Sequence, residues 1–362
     1  MSNTTLSGDM RVQDLGVSYF GYGEVVRGVS FTLHSGEVMC LLGGEGSGKT
    51  TLMRGLCGME KASGTLEIGG KSLISVSPKS RNVTYTFGDD SLNMRKSAEY
   101  NILYPLRLRG EGEEYCRTRL DKVVRLFGIA DLLGEKVKNL YPLHRAYILL
   151  ARAFIRESNL YLIDSFSTSL TYAERSKVFF ALVRAAKDSG GRVIYATDRA
   201  YEAHYFDKVG IMSEGAMLQC DSMSAIYNRP LHSAVAGIAG FPDIAYVPAE
   251  VFKDGKGWHA RYCGTEIALP RLICGNYDGK YAVLGVRAAE VKAGGGIKCK
   301  VRSVYCDGAR RICMLDTGSG KIPCCDGKAV RGDVLGADMS SRLMPPKVGA
   351  KLATVSIISC VS

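Results

Sequence analysis

The amino-acid sequence has 362 residues and a mass of 39.2 kDa, more than one hydrophobic core usually serves, so we expect about two domains. Hydrophobic residues make up 46% of the chain, which allows sizeable cores and excludes a disulfide-stapled scaffold. The formal net charge of +11 permits contact with nucleic acid or acidic lipid, but no basic run stands out, and we expect no nucleic-acid partner.

No segment has the character of a secretory signal or a membrane span. Residues 1–9 are polar, and the chain contains no run of 18 apolar residues. We therefore expect a cytoplasmic protein.

The 12 cysteines lack the spacing of a metal site, because no Cys-x-x-Cys pair occurs. Cys299, Cys306 and Cys313 follow one another at intervals of seven in strand-like stretches. We predict that the cysteines are reduced, small core residues.

In chain order, the first two thirds of the sequence alternate between strand-like and helix-like segments. Apolar or β-branched runs predict strands at residues 25–33, 37–42, 160–163, 192–196 and 208–212. Apolar residues at helical spacing predict helices at residues 50–57, 113–127, 143–157 and 172–188. This alternation is typical of an α/β sheet with helices on both faces.

The character of the sequence changes at about Pro230, where the segments shorten and helical periodicity ends. Turns such as Asp307-Gly308 separate strand-like pieces at residues 281–286, 297–304, 311–315 and 351–359. We therefore predict one domain at residues 1–230 and a small β-barrel domain at residues 231–362.

A glycine-rich segment after an apolar strand carries the sharpest signal. Residues 43–51 read GGEGSGKTT and fit the pattern GxxxxGK[ST], with the strand Val38–Leu42 before them and a helix after them. Such a loop turns backbone N–H groups and a helix N-terminus toward phosphate groups. Lys49 is expected to pair with the phosphates and the Thr50 hydroxyl to bind Mg²⁺. The alternative is a glycine-rich turn that fits the pattern by chance.

A second motif supplies a candidate partner for Mg²⁺. Residues 160–164 read LYLID, four apolar residues that end in an acid, as in a Walker B strand. Asp164 is therefore expected to help hold the metal ion. The alternative is that Asp164 is a helix cap or a turn residue.

With these two motifs, the chain resembles the ATP-binding subunit of an ATP-binding cassette (ABC) importer, most of all the subgroup for maltose, glycerol phosphate and related sugars. Ser35-Gly36-Glu37 is similar to the start of the family's core strand, and Phe20 lies where the family has an aromatic residue that stacks on adenine. Residues 98–102 resemble the entry to the helical subdomain, residues 236–242 the domain junction, and residues 284–287 a strand of the C-terminal domain.

The resemblance implies an α/β fold of the RecA-like P-loop NTPase cassette type. A helical subdomain is expected at about residues 89–159, and a small C-terminal β-barrel of the OB or TOBE type is expected to follow the cassette. Mg²⁺ would be held by Thr50 and Asp164. ATP would be bound by Phe20, Gly43, Gly44, Glu45, Gly46, Ser47, Gly48, Lys49, Thr50 and Thr51.

The resemblance also implies partners and a location. The family's ATP-binding subunits act with membrane-spanning permease subunits, as a homodimer or as a heterodimer with another ATP-binding subunit. The chain is therefore expected at the cytoplasmic face of the membrane.

Several positions depart from the family's pattern. Ser165 stands in place of the Glu that polarises the attacking water, Asp198 in place of the His that contacts the γ-phosphate, and Gly88 in place of the Gln after the strand that ends at Phe87. Thr171 replaces an acid of the following loop. A hydroxyl is no carboxylate base, and an anion near the γ-phosphate repels developing charge.

The signature segment also departs. Where the family has LSGGQ, residues 140–144 read LYPLH, so Pro142 lacks an N–H and Leu143 adds bulk where glycine allows close approach. Glu45 adds a negative charge to the phosphate loop, although its carboxylate can also face solvent.

These departures predict an ATP-binding subunit in which hydrolysis is weak or absent. In a sandwich dimer with an intact subunit, this chain is expected to leave both composite sites incomplete. Asp89, Asp90 or His144 could compensate, or could be solvated loop and helix-start residues. The alternative function is a non-transport regulatory protein, derived from an ABC subunit, that uses ATP as a structural ligand.

Overall fold

The computed structural model describes residues 6–87, 91–165, 169–240, 244–269, 279–287, 291–307, 310–319, 321–325, 334–338 and 356–360. The chain divides into two compact units, Met1–Met223 and Ser224–Ser362. The division lies seven residues before the expected domain boundary at residue 230.

The first unit is built of alternating strands and helices. Its strands are, in chain order, β1 (Met10–Tyr19), β2 (Gly23–Leu33), β3 (Val38–Leu42), β4 (Lys61–Ile68), β5 (Lys71–Ser72), β6 (Val83–Phe87), β7 (Leu160–Asp164), β8 (Arg192–Thr197), β9 (Lys208–Ser213) and β10 (Ala216–Asp221). Its helices are α1 (Lys49–Cys57), α2 (Ala98–Arg107), α3 (Glu113–Phe127), α4 (Pro142–Phe154) and α5 (Tyr172–Ser189). Short 3₁₀ helices occur at Ala130–Leu132, Val137–Asn139 and Ala200–Tyr205.

Two sheets organise this unit. Among the described residues, six strands form one sheet in the order β10-β9-β3-β8-β7-β6, in which all neighbours are parallel except β9 and β10. The second sheet is antiparallel, in the order β2-β1-β4-β5. Every residue of β3 and β8 is buried, as the central strands of a parallel sheet require.

Helix α1 packs on both sheets of the first unit. Its residues Leu52, Met53 and Leu56 belong to one apolar core with β1, β2 and β4 of the antiparallel sheet and β3, β7 and β8 of the larger sheet. Burial of a Leu or Met side chain contributes about 1.5–3 kcal/mol. The core therefore fixes the start of α1 at the carboxyl end of β3, where the glycine-rich loop lies.

The second unit is rich in strands. Its helices are α6 (Met223–Asn228), which begins at the boundary between the units, and α7 (Ser233–Ile238). Its strands are β11 (Ile244–Asp254), β12 (Gly257–Tyr262), β13 (Thr265–Ala268), β14 (Lys280–Arg287), β15 (Lys292–Asp307), β16 (Arg310–Asp316), β17 (Lys321–Cys324), β18 (Val334–Asp338) and β19 (Ser356–Cys360). They form two antiparallel sheets, β13-β12-β11-β14-β19 and β17-β16-β15-β18, with one shared apolar core.

The predicted mixed α/β class is confirmed, and the C-terminal part is strand-rich as expected. Of the expected strand at residues 351–359, the described part lies in the strand Ser356–Cys360, and residues 351–355 lie outside the described residues. The expected helix at residues 143–157 begins at Pro142 and ends at Phe154. Within the described residues, no helix is both long and apolar enough to cross a membrane.

Candidate phosphate-binding site

The glycine-rich loop joins β3 to α1 and bends where only glycine fits. A Cβ atom on Gly43 would lie 2.4 Å from the backbone oxygen of Met212, far closer than atoms approach. Gly48 is the N-cap of α1 and has a φ of 98°, in the left-handed region that favours glycine. The loop is therefore a fixed turn that leads into a helix N-terminus, the geometry that binds phosphate groups.

Lys49 folds back over the loop. Its Nζ donates hydrogen bonds to the carbonyl oxygens of Gly43 and Gly44, each at 2.7 Å, and to Ser47 Oγ at 3.1 Å. Burial lowers the pKa of Lys49, while the carboxylates of Asp198 and Asp164 act in the opposite direction. The ammonium group is thus held at the loop, where it can meet a phosphate oxygen.

The remaining loop residues differ in exposure. Ser47 is buried and its Oγ donates to the carbonyl oxygen of Gly44 at 2.7 Å, while its own carbonyl accepts from the N–H of Gly215 at 3.1 Å. Glu45 and Gly46 are exposed. The carboxylate of Glu45 still favours the charged form of Lys49, so it lies within electrostatic reach of the phosphate-binding loop.

Thr50 and Asp164 meet at the carboxyl end of the sheet, although 114 residues separate them. Thr50 Oγ1 donates to Asp164 Oδ2 at 2.9 Å. The parallel neighbours β3, β8 and β7 place both residues at the same sheet edge. A hydroxyl and a carboxylate are oxygen donors of the kind that Mg²⁺ prefers, so this pair fits the expected ion.

The same carboxylate has a second donor that the sequence analysis missed. The Tyr85 hydroxyl, on β6, donates to Asp164 Oδ2 at 3.0 Å. Burial raises the pKa of Tyr85, and the neighbouring Asp164 carboxylate raises it further. The strand ending at Phe87 was recognised, but this contact depends on the pairing of β6 with β7, which no local pattern reveals.

Two aromatic side chains project from the turn between β1 and β2. Phe20, the expected adenine contact, is fully exposed, and Tyr22 is 88% exposed. Tyr22 was not singled out in the sequence, although two aromatic residues in one glycine-containing turn are a usable signal. Thr51, at the start of α1, connects to this hairpin because its Oγ1 lies 3.1 Å from the hydroxyl of Tyr19.

The chain turns sharply after β7. Ser165 has a φ of 58°, uncommon for a residue other than glycine, and its side chain is exposed. It immediately follows Asp164, so the serine lies where the family resemblance implies a glutamate. Gly88, Asp89 and Asp90 lie outside the described residues.

Asp198 follows β8 at the neighbouring position of the same sheet edge. Its side chain is 71% exposed, and its Oδ1 lies 3.9 Å from Arg199 Nε. The Asp198 carboxylate opposes the lowering of the pKa of Lys49 more than any other charge, so it lies within electrostatic reach of the phosphate loop. An anion therefore lies where the resemblance implies a histidine.

A buried glutamate holds the segment that carries Asp198. Glu202 is fully buried; its Oε2 accepts from the Tyr195 hydroxyl at 2.8 Å and the Thr197 hydroxyl at 2.7 Å, and its Oε1 accepts from Arg175 Nη1 at 3.0 Å. Arg175 lies on α5, so the network joins that helix to the end of β8. Sequence reasoning missed this network, because nothing local marks Glu202 as buried.

The remaining residues that depart from the family's pattern lie at the starts of α4 and α5. Tyr141 is the N-cap of α4 without a side-chain cap bond, and Pro142 occupies the first turn, where its missing N–H costs little. Tyr141 is exposed, and its ring centre lies 6.0 Å from that of His144. Thr171 forms a capping box with Glu174 at the start of α5.

Most of the cysteines whose side chains the structure describes are buried, including Cys40, Cys57 and Cys116. Burial raises the pKa of the Cys40 thiol, and the Glu202 carboxylate raises it further. Within the described residues, no group of three or more His, Cys, Asp or Glu side chains is arranged to hold a metal ion. The Thr50–Asp164 pair therefore needs further oxygen ligands, such as phosphate and water, to complete a magnesium shell.

Comparisons with known proteins agree with this geometry. Residues 26–168 match the family model described as "ABC transporter". The trehalose/maltose import ATP-binding protein of Thermococcus litoralis is 32% identical over 244 residues, which cover 65% of this chain and 66% of that protein. The sn-glycerol-3-phosphate import ATP-binding protein of Chromohalobacter salexigens is 28% identical over 264 residues, 72% of this chain and 70% of that protein.

A solved structure supports the fold. A component of the cbiONQ ABC transporter complex of Clostridium perfringens matches with a TM-score of 0.56 and 23% identity, covering 61% of this chain and 90% of that chain. The chain spans just under two thirds of the length of the Thermococcus relative. The family expected from the two motifs is confirmed at the level of the domain, because residues 26–168 of this chain carry the domain of the ABC transporter family.

Proposed function

We propose that this chain is the ATP-binding subunit of an ABC importer for carbohydrate-type solutes, and that it binds Mg-ATP but hydrolyses it very slowly or not at all. The names of its relatives, import proteins for trehalose/maltose and for sn-glycerol-3-phosphate, support the importer assignment. One observation supports the binding of Mg-ATP. Lys49 donates hydrogen bonds to the loop carbonyl oxygens, and the next residue, Thr50, donates one to Asp164.

In this proposal the nucleotide is bound by one continuous surface. The backbone N–H groups of residues 43–49 and Lys49 hold the phosphates, and Phe20 or Tyr22 stacks on the base. Thr50 and Asp164 supply oxygen ligands for Mg²⁺, which would neutralise phosphate charge when bound. Thr51 supports the site by linking α1 to Tyr19.

Slow hydrolysis follows from the side chains at the ends of β7 and β8. Ser165 has no carboxylate to accept a proton from water, and loss of a general base costs about 10²–10⁴-fold in rate. Asp198 places negative charge toward the loop, where the transition state gathers negative charge, and loss of one electrostatic stabiliser costs about 10²–10³-fold. Gly88 replaces a third family residue, the glutamine, and glycine has no side chain that could hold the attacking water.

The proposed partners are membrane-spanning permease subunits and a second ATP-binding subunit, as a homodimer or heterodimer. We place the chain at the cytoplasmic face of the membrane in such a complex. The start of α4, with Tyr141, Pro142 and Leu143, would face the partner's nucleotide. Its bulk and its lack of glycine would leave the partner's site incomplete as well.

The test is ATP binding and turnover on the same purified full-length chain. Equilibrium binding of ATP with Mg²⁺ is expected, with phosphate release at least about 10³-fold slower than that of the Thermococcus litoralis relative, measured in parallel. Turnover at the rate of that relative would contradict the loss of hydrolysis. Failure to bind ATP would contradict the whole proposal.

A further inference from the structure

We propose that Tyr85 is a positioning residue of the magnesium site: its hydroxyl fixes the Asp164 carboxylate so that one carboxylate oxygen stays available for the metal ion. This inference rests on the proposed Mg-ATP binding. Tyr85 itself is not a metal ligand here; it acts through the hydrogen bond to Asp164.

The sheet register brings the two side chains together. β6 and β7 are parallel, with Tyr85 opposite Leu162 and Phe87 opposite Asp164. Because side chains two residues apart share a face, Tyr85 and Asp164 project to the same side of the sheet. Leu162 belongs to the core that contains α1, so this is the face on which α1 and Thr50 lie.

Two hydroxyl groups converge on one oxygen atom of Asp164. Tyr85 donates to Oδ2 at 3.0 Å and Thr50 Oγ1 donates to the same oxygen at 2.9 Å. No donor among the described residues is bonded to Oδ1. The carboxylate is thus held at Oδ2, so a cation that binds Oδ1 would displace neither of these two hydroxyl groups.

The tyrosine is well suited to this role because it is itself constrained. Tyr85 is partly buried and packs against the core of the first unit, and its ring centre lies 4.2 Å from that of Phe87. A phenol with two side-chain torsions loses little entropy on forming the bond. Hydroxyl bonds to a carboxylate are charge-assisted and stronger than neutral ones, so the pair orients Asp164 before any ion binds.

Loss of a hydrogen bond that orients a metal ligand typically costs 10- to 100-fold in metal affinity. The Tyr85→Phe substitution removes only the hydroxyl and keeps the ring. We therefore expect the affinity for Mn²⁺, used as the spectroscopic substitute for Mg²⁺, to fall about 10- to 100-fold in the presence of ATP. ATP affinity in excess EDTA is expected to stay unchanged, because the hydrogen bonds of Lys49 to the loop do not involve the Tyr85 hydroxyl.

The experiment measures both quantities on each preparation of the full chain. Bound Mn²⁺ is followed by the loss of the free-ion signal in electron paramagnetic resonance, and labelled ATP is titrated with and without metal. The ratio of the two ATP affinities is independent of the folded fraction, since unfolded protein lowers both signals equally. Tyr85→Met, which also lacks the hydroxyl, is expected to give the same loss.

Tyr161→Phe is the matched control. Tyr161 is a buried tyrosine on β7 whose hydroxyl bonds to the Arg156 carbonyl oxygen, not to Asp164. Its loss is expected to leave Mn²⁺ affinity unchanged.

The outcomes separate this inference from the proposed function. Unchanged Mn²⁺ affinity in Tyr85→Phe, with metal-dependent ATP binding in the unsubstituted chain, overturns the role of Tyr85 and leaves the proposed function standing. An equal loss in Tyr161→Phe also overturns it. No ATP binding by the unsubstituted chain overturns the proposed function and this inference with it.

Discussion

Two regions at the same edge of the large sheet differ in what they retain. In the region formed by the loop after β3 and Asp164 at the end of β7, both the backbone turn and the polar side chains suit Mg-ATP, since Lys49 is bonded to the loop carbonyl oxygens and Thr50 to Asp164. In the region formed by the residues that follow β7 and β8, the Glu202 network supports the end of β8. Its exposed side chains are Ser165 and Asp198, which in the proposed function replace the residues that hydrolysis requires.

The comparison distinguishes buried residues that support the fold from exposed residues at the positions where catalysis would occur. Glu202 and Arg175, which support the end of β8, are buried and bonded to each other. Ser165 and Asp198 have exposed side chains. Replacing exposed residues costs little stability, whereas replacing buried, paired ones costs much. The catalytic positions can therefore change while the cassette fold remains intact.

The largest expected effect tests the scaffold beneath the changed region. Glu202→Ala leaves the Arg175 guanidinium buried without its carboxylate, and breaking a buried ion pair costs about 3–5 kcal/mol. We expect the urea midpoint of the helical circular dichroism signal to fall strongly, because the long helices α1 to α5 all lie in the first unit.

The control for this effect is Arg184→Ala. Arg184 lies on α5, the helix that also carries Arg175. It forms an exposed ion pair with Asp188 at 3.7 Å, and such a pair contributes about 0–1 kcal/mol to stability. Equal shifts in the two variants would contradict the distinction between a buried scaffold and an exposed surface.

The sequence predicted the fold where periodicity and motif agreed. The buried strands β3, β7, β8 and β9 are continuous apolar runs, and the long helices α3 and α5 have clear apolar faces, so local patterns sufficed. The antiparallel strands β1 and β4 were not predicted. They carry irregular registers and exposed residues that blur strict alternation.

The candidate site divides in the same way. The pattern around Lys49 predicted the loop, because its glycines and lysine are adjacent in sequence. The roles of Tyr85 and Glu202 could not be found from the sequence, because their partners are distant along the chain. Tyr85 lies 79 residues from Asp164, and Glu202 lies 27 residues from Arg175. Contacts across parallel strands depend on register, which only the folded chain specifies.

The next effect tests the retained region directly. Lys49→Ala removes the cation that is bonded to the loop carbonyl oxygens and that is proposed to hold the phosphates. Loss of one partner of a desolvated charge contact costs about 2 kcal/mol or more, so we expect ATP affinity to fall about 30-fold. Ser165→Ala is the comparison from the other region, and we expect its ATP affinity to change less than twofold. Isothermal titration with ATP and Mg²⁺ measures both. A similar loss in Ser165→Ala would show that the two regions do not divide binding from hydrolysis.

The smallest effect sharpens the comparison at its boundary, where the Asp198 carboxylate lies within electrostatic reach of Lys49. Asp198→Asn removes a negative charge near the phosphates and is expected to raise ATP affinity about two- to fivefold, because exposed charges at this range interact by roughly 1 kcal/mol or less. Salt screens such an interaction, so the gain should shrink between low and high ionic strength. Asp188→Asn, at the far end of α5, removes the same charge elsewhere and should leave affinity unchanged. A gain that persists at high salt, or that Asp188→Asn reproduces, would mean that the Asp198 carboxylate does not act on the nucleotide. In that case Asp198 would be an exposed surface residue without an effect on ATP binding.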